Sequence, residues 1–576
     1  MTQKILILNL TRMGDLIQTT PLLQGLRHKY PDAKITLMVS SDFENAISLI
    51  PDIDDSIVFN LRQFKESEDW EDESWVKIYR YIESKLNDIR GKSYDMLVNL
   101  SHSRFSALMV HYLKVNNVIG FYCNNSGDRM TGHPWMQYFG TEPFNRNYNE
   151  FNLVEIFSRS ACIDPAGKEI KVAENRYHAS DDKFLSTVLN EAKNNLVIGF
   201  QIGSSLENRR WSTASFAKLA DLLAEKLNAR IFLLGVASES KSAEEMIQQT
   251  KRKNNIIDLT GKTDLKQLAS LLKRCAYLVT NDTGTMHLAA ALNTKIIGLF
   301  FAHAHPFETA PFSSGHLIFQ ARISCAPCSY GVHCNNIICV EKVLPEHILS
   351  FIENYEQNNI WKLPLDLKNS QEVNIYETIS SSQGIIRLKP MIKHEININD
   401  IFRLAYAVLW REKLDEELKT DIFNIQERLE EYTYYDSRIL IDNLTDKILF
   451  IEEIESLGKE GIDLCESIVK NAAKASSVAI RLAKFGEDIN RIDEQIELIG
   501  LANPELKSLT DMFNKRKENQ IGSDIGKLGL ECMDYYRLLK KESRRFREIL
   551  LVHKEIILNL SDYNTHNSIK VCVPGR

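Results

Sequence analysis

Cysteine is sparse in this chain, ten in 576 residues, and six of the ten are scattered, which excludes a disulfide framework as the source of its stability. No apolar stretch reaches the roughly 20 residues that a membrane-spanning helix needs. The N-terminal run MTQKILILNL enters a strand-like segment directly, without the basic region and small-residue cleavage site of a signal peptide. Both absences predict a cytoplasmic protein, one that at most touches the cytoplasmic face of an inner membrane. Charge of one sign is missing too: 70 basic against 77 acidic residues leave a net charge of -7, so no global field favours nucleic acid as a partner. What remains, 44% hydrophobic and 26% charged, is the composition of a globular protein. A chain of this length exceeds one core, and two to four domains are expected.

The apolar runs are short and recur. Lys4 to Leu10 reads as a buried parallel strand, and Lys34–Val39, Ser56–Phe59, Tyr94–Leu100 and Val118–Phe121 follow it, most with helical patterns between. A second series begins at Leu196–Gln201 and continues through Arg230–Leu234, Ile256–Leu259, Tyr277–Thr280 and Lys295–Phe301. Such βαβ alternation predicts two doubly wound parallel sheets, and ligands of such sheets sit beyond the carboxyl ends of the strands. Two facing halves would therefore enclose a cleft. Past Trp361 the character changes. Val373–Ile379 and Ile385–Leu388 flank a Ser-Ser-Ser-Gln-Gly turn and predict a hairpin, and from about Ile396 to Leu560 the chain is poor in Pro and Gly with helical spacing of Leu and Ile. The helical blocks expected there are 403–432, 436–457, 462–484, 486–498, 506–517 and 525–558, with no sustained heptad.

In the second series the run ending at Thr280 meets Asn281, Asp282, Thr283 and Gly284, and then an alanine-rich helical segment that includes His287. The first N–H groups of a helix have no partner and carry partial positive charge, so this turn suits a phosphate, and Gly284 allows close approach. The plain alternative is an ordinary N-cap at Asp282 or Thr283. Four cysteines, Cys325, Cys328, Cys334 and Cys339, form C-x2-C-x5-C-x4-C, thiolate spacing that could hold a structural iron or zinc. His303 and His305 match no motif with a defensible geometry.

Three stretches, LNLTRMGDLIQTTPLL from Leu8, GFQIGSSLENRRWSTASFAKL from Gly199, and LTGKTDLKQLA with NDTGTMHLAAALNTKIIGLF between Leu259 and Phe300, together resemble the lipopolysaccharide heptosyltransferases of glycosyltransferase family 9. The resemblance covers about residues 1–355. It implies the GT-B architecture, two Rossmann-like domains facing a cleft, here followed by an all-helical module. The domains expected are 1–175 on the acceptor side, 190–355 for the nucleotide sugar, a helical module over 365–560 and a loose tail over 561–576.

The activity implied is inverting transfer of a heptose from ADP-heptose to an acceptor hydroxyl of a lipopolysaccharide core or similar glycan, with no metal in the chemistry. By the same resemblance Asp15 is the general base, and Gly14 and Arg12 lie on the acceptor side. Ser204, Ser205 and Arg209 face the diphosphate, with arginine where the family usually has lysine. Thr260, Gly261 and Lys262 lie near the nucleoside, and Asp282, Thr283, Gly284 and His287 form the donor turn. Asp282 has the wrong charge for phosphate, so a sugar hydroxyl or the turn itself is its expected partner. Arg210 reads as a solvated neighbour, and Arg62, His102, Arg104 and Arg129 as basic or polar positions for an anionic acceptor. The partners implied are an ADP-sugar and a glycolipid. Two rival readings are a protein Ser or Thr as acceptor, as in autotransporter heptosylation, and a degenerate GT-B scaffold. For the helical module homo-oligomerisation is the default expectation.

Overall fold

The computed structural model describes residues 2–60, 72–173, 182–415, 424–434, 438–472 and 479–571, and Arg62 lies outside them. The chain divides into two units. One comprises residues 1–132 and 152–392; the other comprises 133–151 and 393–576.

The α/β unit contains two sheets. The first is built from β1 (Lys4–Leu8), β2 (Lys34–Ser40), β3 (Asp55–Phe59), β4 (Met96–Asn99), β5 (Asn117–Cys123) and β6 (Arg129–Gly132) in the order β3-β2-β1-β4-β5-β6. Only the β5–β6 pair is antiparallel. The second contains β7 (Val197–Gln201), β8 (Arg230–Leu234), β9 (Ile256–Asp258), β10 (Tyr277–Asn281), β11 (Lys295–Phe300) and β12 (Leu317–Ala321), and its parallel part runs β9-β8-β7-β10-β11-β12. Counted from its own first strand, each sheet thus has the 3-2-1-4-5-6 order of a dinucleotide-binding fold, with its switch points at β1/β4 and β7/β10. The hairpin β13 (Val373–Ser380) and β14 (Ile386–Pro390) extends the second sheet antiparallel from β12, pairing Ile318 with Tyr376. Strands covered on both faces need apolar side chains at successive positions, and Ile5 to Leu8, Val197, Ile198 and Phe200 are accordingly buried.

The spacing predicts one helix over 148–162, whereas the helix observed is Leu153–Ser160. Asn149 holds the preceding backbone extended, its Oδ1 accepting from Phe151 N–H at 2.9 Å and from Tyr138 Oη at 2.8 Å. Asn152 then caps the helix by accepting from Val154 N–H at 3.1 Å.

The helical unit takes in the 133–151 excursion, which the sequence pattern does not separate from its surroundings. Trp135 Nε1 donates to Asp415 at 2.7 Å and Asn145 Nδ2 to Asp511 at 3.0 Å. Glu150, buried, is ion-paired with both Arg403 and Arg428, which hold its carboxyl below the usual range against the effect of burial. The two longest helices, Arg438–Ala472 and Ile525–Val571, run antiparallel: Lys554 donates to Thr445 at 2.7 Å, Arg547 meets Glu452 at 3.3 Å and Arg544 meets Glu455 at 3.1 Å. The break expected between 457 and 462 is absent. Gly458 and Gly461 there face Lys540 and the Tyr536 ring, so the glycines that look like a helix stop are the positions where the partner helix approaches. The second helix continues to Val571, past the end of the apolar spacing at Leu558. Among the described residues no helix is long and apolar enough to cross a membrane.

Candidate active site

The two sheets of the α/β unit bring the carboxyl ends of β1, β7 and β10 to one place. The loop after β1 is shaped by Asn9, which is buried: its Nδ2 donates to Thr19 Oγ1 at 3.0 Å and its Oδ1 accepts from Thr11 N–H at 3.2 Å. Helix Met13–Gln18 starts there, and the Asp15 carboxylate accepts from Arg12 N–H at 3.2 Å. Asp15 is the third residue of this helix, and one of its oxygens bonds back to the backbone of the N-cap residue Arg12. Arg12 is exposed. Gly14 packs against the start of helix Gly284–Ala291: a methyl group on Gly14 would lie 3.1 Å from His287 Cδ2 and 3.2 Å from Gly284 Cα, and one on Gly284 would lie 2.8 Å from Met13 Cε. Glycine at both positions lets two helix N-termini, one after β1 and one after β10, meet backbone to backbone.

His287 is buried beside this contact, with no hydrogen-bond partner for Nδ1. Desolvation lowers its pKa against the opposing pull of Asp282 and Asp15, so the imidazole is neutral at neutral pH and both carboxylates are near neighbours of the ring. Thr283 is the N-cap of its helix without a side-chain capping bond, so the first N–H groups are not covered by it.

The loop after β7 is held by Asn281, the last residue of β10 and fully buried. Its Nδ2 donates to the carbonyls of Ile202 (2.9 Å) and Gly203 (3.2 Å), and its Oδ1 accepts from Trp211 N–H at 3.0 Å. Arg209, buried in this loop, donates from Nη2 to the Asp282 carbonyl at 3.0 Å and pairs with the Asp282 carboxylate at 2.5 Å. Asp282 also accepts from Thr309 Oγ1 at 3.3 Å. The acid that had no evident partner in the sequence is thus the counter-ion that aims Arg209. Arg210 is not a solvated neighbour: its guanidinium clamps the Ser204 carbonyl, with Nη2 at 2.7 Å and Nε at 3.0 Å. Ser204 Oγ is buried without a partner, while Ser205 is exposed.

Beyond β9, Thr260 Oγ1 is also buried and unpartnered, and Gly261 adopts φ of +70° with Ala237 Cα 2.8 Å from where a methyl would sit. Lys262 is turned to the surface, where Nζ donates to the Asp258 carbonyl at 2.8 Å. Glu239, after β8, stands against Gly203 and Gly235 and accepts from Val236 N–H (3.0 Å) and Gln201 Nε2 (3.1 Å). The spacing predicts a helix over 239–250 and places Glu239 as its first residue. Its only signal was an acid just past the second strand of a Rossmann series, the position from which a carboxylate reaches a ribose.

Cys325, Cys328, Cys334 and Cys339 do not form the expected metal centre. Cys325 is exposed and Cys339 buried, Cys334 donates to the Asn336 carbonyl at 3.2 Å, and among the described residues no group of three or more His, Cys, Asp or Glu side chains is placed to hold an ion. The segment lies over the end of β11, with Cys328 N–H bonded to the Ala302 carbonyl at 2.9 Å, which spreads the thiols from solvent to interior. Arg129 lies over the Phe121 ring at 4.1 Å.

Two Rossmann-ordered sheets, with the loop of one facing the helix N-terminus of the other, have the GT-B architecture. Residues 84–336 match the sequence pattern of glycosyltransferase family 9 (heptosyltransferase). Similar proteins include lipooligosaccharide heptosyltransferase 2 of Haemophilus ducreyi, 25% identical over 55% of this chain and 88% of the relative. Lipopolysaccharide heptosyltransferase 1 of Campylobacter coli is 27% identical over 52% and 84%. Lipopolysaccharide heptosyltransferase 3 of Escherichia coli is 25% identical over 54% and 86%.

Proposed function

We propose that the protein transfers a heptose from ADP-heptose to a hydroxyl of a lipopolysaccharide core, with inversion at the anomeric carbon. The observation that carries this reading is the approach of Gly14 to Gly284 and His287, which sets the Asp15 helix against the turn after β10. Asp15 accepts the proton of the acceptor hydroxyl as its oxygen attacks the anomeric carbon. The bond from that carbon to the diphosphate breaks on the opposite side, and ADP leaves with the electron pair.

The charge that develops on the leaving phosphate is met by Arg209, by Ser204 Oγ and by the first N–H groups of helix Gly284–Ala291. Asp282 and Thr309 keep the guanidinium in place, and Asn281 keeps the loop that carries it. His287, neutral, donates one ring N–H toward the same oxygens. Thr260 and Gly261 border the nucleoside, and Glu239 accepts from the ribose hydroxyls. Gly14 and Arg12 face the acceptor. Buried hydroxyls and an imidazole nitrogen left without partners at one cleft are costly to folding unless a ligand uses them, which favours an enzyme over a scaffold. With a lipid-anchored acceptor the enzyme works at a membrane surface, and the helical unit is the part available for self-association.

The test is to incubate the purified protein with ADP-heptose, a UDP-sugar and a GDP-sugar, following heat protection and nucleotide release. Protection and ADP release with ADP-heptose alone are expected. Equal protection by a UDP- or GDP-sugar, or none by ADP-heptose, would overturn the reading.

A further inference from the structure

Outside the α/β unit, one cluster of reactive side chains is left unused by any of the above. Cys465, on helix Arg438–Ala472, and Cys532, on helix Ile525–Val571, are buried thiols at facing positions of the antiparallel helix pair. The helices come close here, since Gly461 packs on the Tyr536 ring on one side and Gly529 against Ile468 and Val469 on the other. Lys517 reaches in from helix Lys507–Lys517 and lies over the rings of Phe513 (5.4 Å) and Tyr536 (5.2 Å). Its amine is ion-paired with Asp493, whose other oxygen accepts from Tyr536 Oη at 2.6 Å.

We propose that Cys465 and Cys532 are a redox pair that a hydroperoxide closes into a disulfide, stapling the two longest helices of the chain. In the first step Cys532 sulfur attacks one oxygen of the hydroperoxide; the O–O bond breaks, an alcohol or water leaves, and a sulfenic acid forms. In the second, Cys465 sulfur attacks that sulfur; the S–O bond breaks and water leaves with the Cys465 proton. Two thiols and one hydroperoxide thus give one disulfide, one alcohol or water, and one water.

The environment assigns the order of events. The nearby Cys465 thiol holds Cys532 below its ordinary range and Lys517 adds to this against burial, while Cys532 and burial push the Cys465 thiol up. At Cys275, by contrast, burial outweighs Arg274 and pushes the thiol up to about 12. Cys532, on the side of the Lys517 ammonium, is therefore placed as the attacking sulfur and Cys465 as the resolving one.

The full-length protein is treated with dilute hydrogen peroxide under native conditions, its remaining thiols are alkylated, and non-reducing peptide mapping follows. A cross-linked pair of peptides carrying Cys465 and Cys532 is expected, together with a rise of roughly 10 °C in the thermal midpoint that dithiothreitol reverses. Lys517→Met should slow cross-linking roughly tenfold at neutral pH. Wild-type mapping alone decides the matter if the variant does not fold. Recovery of Cys465 and Cys532 as alkylated thiols while exposed Cys325 is oxidised would overturn the proposal, as would a cross-link that appears only in denaturant.

Discussion

In the α/β unit Ser204 Oγ, Thr260 Oγ1 and His287 Nδ1 are buried at the ends of strands without hydrogen-bond partners, whereas in the helical unit the buried Arg516 gives Glu542 two parallel bonds of 2.7 Å. Glu150 likewise sits between Arg403 and Arg428. Both units bury polar groups, and the helical unit too leaves some atoms without a partner, as at His553 Nε2; what sets the first unit apart is that its open groups stand at the ends of strands. A group satisfied by its own chain stabilises or specifies packing; one left with open valences at a strand switch point is kept for something that arrives. By this criterion the open polar groups at the strand ends of the first unit are the candidate site, and the paired charges of the second are architecture.

The sharpest way to break this contrast is Asp15→Asn. Transfer should fall on the order of 10³-fold while calorimetric affinity for ADP-heptose stays within about twofold; retained turnover removes Asp15 from the mechanism. In the other unit, Glu542→Gln should leave Arg516 buried without its counter-charge and destabilise that unit by about 3–5 kcal/mol in urea titration, with donor affinity unchanged. A loss of donor affinity there would show that the two units are coupled. Arg209→Ala comes next: kcat should drop roughly 10²-fold, with partial recovery in Arg209→Lys, because one aimed cation is lost from the leaving-group side.

The smallest effect compares one histidine in each unit. His316 accepts from Ile296 N–H at Nδ1 (3.2 Å) and pairs with Ser313 at Nε2 (2.8 Å), and burial lowers its pKa to about 3. His553 bonds the Ile549 carbonyl at 2.8 Å and is lowered to about 4. Both are buried neutral, so the unfolded chain binds more protons and the stability present above about 6.5 is lost as pH falls toward the folded values. Each should cost about 2 kcal/mol at pH 5 relative to pH 7.5, read from urea midpoints. His316→Gln should flatten the pH dependence of the α/β unit and leave that of the helical unit in place.

Much of the fold is legible in the sequence because strands buried on both faces must be apolar at every position, and runs such as Ile5–Leu8 and Tyr277–Thr280 have few other readings. The turn at Asp282–Gly284 is legible for the same reason, since an apolar run that meets Asp-Thr-Gly before a helical segment reads as strand, turn and helix. Asn281 and Glu239 were not singled out, because a lone amide or carboxylate carries no periodicity. Arg210 was assigned to solvent, as lone surface-like arginines usually are. The four clustered cysteines were misleading in the opposite direction: spacing along the chain says nothing of whether a short loop can turn all its thiols to one point.

By itself, then, the sequence determined the two strand series, the helical character of the C-terminal part and the residues that border the strand ends, since these follow from local pattern and chain order. Tertiary structure alone decided that 133–151 joins the helical unit, that Gly458 and Gly461 admit a neighbouring helix instead of ending their own, and that Asp282 serves Arg209. Each of these depends on contacts between residues far apart in the chain, and hydrophobic periodicity carries no information about which distant surface will cover a given face.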